Sequence, residues 1–110
     1  MQVQLTRQEV IAEMTRRLVD YYHPVRIYLF GSEARGDAGP DSDLDFMVVL
    51  PDDTPDSVMR ANPYKILPAF GIAKDVIPWR LGDFEIRAAY VPTSLPATVI
   101  REGKLLCESA

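Results

Sequence analysis

Three carboxylates and a glycine–serine pair are the residues of this chain whose types and spacing suit chemistry. Asp43 and Asp45 flank Leu44 at the head of the apolar run Leu44–Leu50. Alternate side chains of a strand share a face, so the two carboxylates point the same way, with Cα atoms about 6.6–6.8 Å apart. Leu44 then points to the opposite face, where a core can take it. Two carboxylates so placed can share divalent cations. Without a cation they repel, and one is driven to hold its proton. A third carboxylate, Asp75, sits inside the otherwise apolar stretch Ile72–Ile77. An isolated Asp in a buried strand is costly unless it has a partner. If that strand lies beside the Asp43/Asp45 strand, three carboxylates converge. A two-metal phosphoryl-transfer site needs such a set, to hold ions about 3.5–4 Å apart. The other reading of Asp75 is an ion pair with Lys74 or Arg80.

Gly31 and Ser32 lie twelve residues upstream of Asp43, directly after the run Val25–Phe30. Glycine lets backbone approach a ligand closely, and free N–H groups at a helix start suit an anion. The Ser32 hydroxyl adds a donor. Arg35 follows within the same turn, where it can bridge to Asp37 or Asp41.

The elements that must position these groups are legible around them. Thr6-x-x-Glu9 has the form of a capping box. Val10, Ile11, Met14, Leu18 and Tyr21/Tyr22 follow at helical spacing, which predicts an amphipathic helix over 7–22. His23-Pro24 ends it, because the residue before proline is pushed out of the α region. Residues 25–30 and 44–50 read as strands, the second apolar on both faces beyond Asp45 and therefore central in a sheet. Gly31–Asp41 reads as a turn or short helical turn. A helix is expected to start near Pro55 or Ser57, and a third strand to cover 72–78. Residues 81–91 carry only a loose helical pattern. Ser94 caps a helix over 95–102, Gly103 stops it, and 104–107 forms a last short strand. Interleaved helices and strands imply an α/β (α+β) domain over 1–110, a mixed sheet with flanking helices.

Gly31-Ser32-x-Ala34-Arg35-Gly36, followed by Ser42-Asp43-Leu44-Asp45 and a later in-strand Asp75, resembles the signature of the polymerase-beta-like nucleotidyltransferase superfamily. The likeness is greatest to its minimal, stand-alone MNT branch. It spans residues 5–107, and its specific part lies in 29–49 and 72–77. The resemblance implies that Asp43 and Asp45 ligate two Mg²⁺ ions bridging ATP. It also implies that Asp75 completes the second metal site and helps deprotonate an acceptor hydroxyl. Gly31, Ser32, Arg35 and Ser42 would lie on the nucleotide side. The implied reaction transfers AMP to a hydroxyl and releases pyrophosphate. Minimal members are often antitoxins paired with a HEPN-domain toxin, which they modify on a tyrosine. A HEPN-type protein is therefore the expected partner.

Composition narrows the alternatives. Hydrophobic residues make up 47% and charged residues 25% of the 110, enough apolar area to oppose default disorder. Twelve Lys and Arg against sixteen Asp and Glu leave a net charge of −4. That disfavours long nucleic acids, which are bound by neutralising many phosphates. It leaves room for a small phosphate ligand held through metal ions. The longest apolar run, Phe46–Leu50, is far short of the about 20 residues a membrane span needs. A start without basic or long apolar character and the single cysteine, Cys107, fit a reducing, cytoplasmic setting. His23 reads as an exposed cap and Cys107 as a small buried hydrophobe. Trp79 reads as a core or rim aromatic, with nucleotide stacking or a partner contact as its alternatives. The rival to an enzyme is a nucleotidyltransferase-fold binding module, weak or inactive in catalysis, that neutralises a partner by docking.

Overall fold

Thr6 starts the first helix through the reciprocal bonds expected of it. Its hydroxyl accepts from the Glu9 N–H at 3.1 Å, and Glu9 accepts from the Thr6 N–H at 2.9 Å. The computed structural model describes residues 5–39, 42–67 and 71–109. Helix α1 runs Arg7–Tyr22 and buries Val10, Ile11, Met14, Leu18 and Tyr22. His23, exposed, closes it in the left-handed conformation at φ 50°, a region His enters more readily than most residues. Strand β1 (Arg26–Phe30) leads into a single helical turn, α2 (Ser32–Arg35), and then β2 (Leu44–Leu50). A connection holding the short helix α3 (Asp56–Met59) and a 3₁₀ turn at Pro63–Ile66 reaches β3 (Lys74–Arg80). Helices α4 (Leu81–Tyr90) and α5 (Leu95–Glu102) and strand β4 (Lys104–Glu108) follow.

The four strands form one mixed sheet in the order β3-β2-β1-β4. β1 lies antiparallel to both β2 and β4, and β2 runs parallel to β3. β2 is central, as its two-sided apolar character predicts. Leu44, Phe46, Val48 and Leu50 join a core with α1, while Met47 and Val49 join a second core with Tyr28, Phe84 and Val99. All six β2 side chains are buried. At roughly 1.5–3 kcal/mol for each large side chain, this alternation carries much of what holds the layers together. In the second core the Tyr28 and Phe84 rings stack, with centroids 5.8 Å apart.

The third strand begins at Lys74 and runs to Arg80, two residues later at both ends than the apolar pattern suggests. Ile72 packs on the α1-side core without entering the ladder. Trp79 lies within β3 and packs in the second core. Residues 81–90 are a regular helix. Its pattern is blurred because Phe84 alone is buried, whereas Ile86 and Tyr90 are 59% and 80% exposed. Cys107 packs at the margin of the α1-side core, and its burial raises the thiol pKa. Tyr22 is buried with no hydrogen-bond partner for its hydroxyl among the described residues, and burial pushes its pKa up to about 12. Among the described residues no helix is long and apolar enough to cross a membrane.

Candidate functional site

The β2–β3 register brings the predicted carboxylates together. Asp45 lies directly opposite Asp75 on the adjacent parallel strand. Asp43 immediately precedes β2; its charge reaches the Asp45 carboxyl, and the pleat continued one residue back puts it on the Asp45 face. This is the face on which Met47, Val49, Ile77 and Trp79 meet the second core. The three carboxylates thus sit on one side of the sheet, at the end where β2 and β3 begin and β1 finishes. Phe30 of β1 is the cross-strand neighbour of Asp45, so Gly31, the next residue, arrives beside the cluster.

Gly31 touches the site closely. Its backbone has φ 75° and ψ −152°, which L residues rarely adopt. A Cβ added there would overlap the Asp45 carboxylate. Two separate reasons therefore demand glycine at this position: the chain direction and the room taken by Asp45. Ser32 opens α2 at once, and the turn closes with Arg35 N–H donating to the Gly31 carbonyl and Asp37 N–H to the Ser32 carbonyl, both at 3.1 Å.

Asp45 is half-buried, while Asp43 and Asp75 are exposed. Burial raises the Asp45 pKa above its ordinary value of 3.8. The neighbouring charges of Asp75 and Asp43 raise it further, as does a hydrogen bond that the protonated Asp45 carboxyl donates to Asp75. Arg35 opposes the shift weakly, which places its charge within reach of the cluster. The exposure of Asp75 corrects one step of the sequence argument. Asp75 is the second residue of an edge strand, so what makes it unusual is like charge beside Asp45, not burial. No ion pair joins it to Lys74 or Arg80 among the described residues. Arg80 lies at the far end of β3, donating to the Thr54 carbonyl and pairing with Asp56 at 2.6 Å.

The remaining predicted residues divide. Arg35 pairs with Asp37 at 3.3 Å, both largely exposed; Asp41, its other suggested partner, lies outside the described residues. Ser42 closes the stem of the loop before β2. Its hydroxyl accepts from the Gly39 N–H at 2.8 Å, and its own N–H donates to the Gly39 carbonyl at 3.1 Å.

A nucleotidyltransferase domain family matches residues 10–94 of the chain. The chain belongs to that family. The match holds α1 from Val10 onward, the Gly31–Ser32 turn and all three aspartates. The fold is also similar to that of a Sulfolobus solfataricus protein assigned as a nucleotidyltransferase, with a TM-score of 0.61 and 17% identity over 90% of this chain and 78% of that one. It is similar too to a toxin–antitoxin structure with AMP-PNP, with a TM-score of 0.59 and 23% identity over 88% of this chain and 73% of that one. No curated protein matches significantly.

In this nucleotidyltransferase domain, no group of three or more His, Cys, Asp or Glu side chains is drawn together as a finished metal cage among the described residues. The fit to a divalent cation rests instead on chemistry. Carboxylates on one face, one of them with a raised pKa and propped against Gly31, are what a cation neutralises. Two further residues belong to the site's framework and were not singled out from the sequence: Arg7 and Glu33. Arg7 Nε donates to Glu33 Oε2 at 2.7 Å, and Arg7 Nη2 to the Ser42 carbonyl at 2.5 Å. One signal was available. Arg7 is a cation in the first turn of a helix, where the macrodipole disfavours it.

Proposed function

We propose that this nucleotidyltransferase domain transfers AMP from Mg-ATP to a hydroxyl of a protein partner, as the antitoxin of a HEPN-type toxin. The observation that carries the reading is the Asp45–Asp75 register pair, with Asp43 on the same face and Gly31 against it. In this reading Asp43, Asp45 and Asp75 hold two Mg²⁺ ions, which neutralise the triphosphate and the charge developing on its departing pyrophosphate. The Gly31 backbone and the Ser32 hydroxyl hold the β- and γ-phosphates. Asp75, exposed at the rim, takes the proton from the acceptor hydroxyl as its oxygen attacks the α-phosphorus. Arg35 lends positive charge to the phosphate side, and Ser42 supports the strand that presents Asp43.

A protein acceptor is supported by the likeness to a toxin–antitoxin structure with AMP-PNP. It is supported also by the net charge of −4, which disfavours a nucleic-acid backbone. Phosphoryl transfer asks little of the acceptor beyond an in-line hydroxyl, so a docked partner can supply most of the specificity. The test is incubation with labelled ATP, Mg²⁺ and the product of the neighbouring gene. The expected result is a mass gain of one AMP on a tyrosine of that partner. An unmodified partner beside efficient labelling of a small alcohol or a tRNA end would overturn the acceptor class. Stable binding without transfer would favour the docking module.

A further inference from the structure

We propose that Arg7 is a positioning residue that sets the separation between the Gly31–Ser32 turn and the Asp43/Asp45 strand; this rests on the nucleotide-site reading above. Arg7, from the first turn of α1, contacts both halves of the site, the Gly31–Ser32 turn and the entry to β2. Its Nε binds Glu33 in α2, one residue beyond Ser32. Its Nη2 binds the Ser42 carbonyl and lies 3.5 Å from that of Asp43. These contacts span 26, 35 and 36 residues of sequence.

The pair is shielded, with the Arg7 and Glu33 side chains only 20% and 11% exposed, so solvent screens it less than a surface ion pair. A planar guanidinium aims its Nε and Nη donors in fixed directions at a carboxylate and a neighbouring carbonyl; an ammonium has three donors but no such rigid fork and a different reach. The helix dipole disfavours a cation at this position, so the charge of Arg7 does not serve α1. A nucleotide held by phosphates at one half and by carboxylates at the other responds to small changes in their spacing, and misplacements of about 1 Å cost up to about a hundredfold in rate.

The experiment compares wild type, Arg7→Met and Arg7→Lys on the full chain by amide hydrogen exchange, melting and calorimetric Mg-ATP binding. In Arg7→Met, exchange should rise about tenfold or more at Arg35, Asp37 and Leu44 and stay unchanged at Met47 and Val99. Mg-ATP affinity should fall about tenfold. Arg7→Lys should regain most of the melting temperature and little of the affinity, a split that a merely structural charge would not produce. Unchanged exchange at Arg35, Asp37 and Leu44, a uniform rise across the sheet, or affinity within twofold of wild type in either variant would overturn the proposal. Failure of the wild type to bind Mg-ATP would instead sink the underlying site reading, and the exchange data would still decide whether Arg7 holds the two halves.

Discussion

The two ends of the β2–β3 strand pair are both acidic, but only one of them is balanced. Where the strands finish, Arg80 pairs with Asp56 and donates to the Thr54 carbonyl, and Asp52 accepts from the Gly82 N–H at 2.7 Å at the start of α4. Asp52 and Asp56 each have a donor. Where the strands begin, Asp43, Asp45 and Asp75 face one another, with Arg35 as the weak opposing charge. Folding alone favours the first arrangement and penalises the second. The acids at the far end are tied into the fold, whereas those at the near end meet like charge, which the proposed metal-nucleotide role would relieve.

The largest expected effect separates the ends by function. Asp45→Asn should lower nucleotidyl transfer at least a hundredfold, while Asp52→Asn should change it less than threefold. Initial rates with saturating Mg-ATP and partner measure both, and equal losses would erase the distinction. Next comes the turn beside the cluster. Gly31→Ala forces a side chain into a left-handed backbone and against Asp45, which should cost about 1–3 kcal/mol of stability and disrupt nucleotide binding. Denaturant unfolding and calorimetry together test this, and a variant as stable and as tight as wild type would refute the contact.

A third prediction reverses the usual sign of mutation. In metal-free buffer Asp45→Asn should leave the melting temperature unchanged or raise it, because it removes a like charge. The Asp45 pKa is raised in the folded state above 3.8. The stability linked to its protonation is therefore full below pH 3.8 and is lost as pH rises through the raised value. The gain of the variant over wild type should accordingly grow from pH 3.5 to pH 7. Asp56→Asn at the balanced end should show a small loss instead. The smallest effect lies away from both ends. Tyr22→Phe removes a buried hydroxyl without a partner among the described residues and should stabilise by about 1 kcal/mol. The stability tied to the raised Tyr22 pKa is present below pH 10 and disappears toward pH 12. The difference between Tyr22→Phe and wild type should therefore widen in that window, with nucleotide affinity unchanged.

The parts of the molecule legible in the sequence are those governed by local rules. Helix α1 has a capping box and regular apolar spacing, β2 an unbroken apolar run, and α5 a serine cap, and each has the bounds its pattern implies. The same-face placement of Asp43 and Asp45 follows from strand pleat alone. Its meeting with Asp75 needed strand pairing, which spacing can suggest but not impose. What local pattern concealed was tertiary. The β3 register is shifted because pairing with β2 begins at Leu44–Lys74 rather than at the first apolar residue. Helix α4 was blurred by exposed Ile86 and Tyr90. Arg7 and Glu33 meet across 26 residues, and neither periodicity nor composition registers such a contact.

The central claim, that the unbalanced carboxylates exist to bind a metal nucleotide, is tested most directly by calorimetric titration of ATP into wild type and Asp43→Asn/Asp45→Asn. Both are measured with Mg²⁺ and again with EDTA. The account predicts binding by the wild type with Mg²⁺, at least tenfold weaker binding in EDTA, and no measurable heat from the double variant while its fold and melting temperature are preserved. Equal affinity in the double variant, or binding indifferent to EDTA, would contradict it.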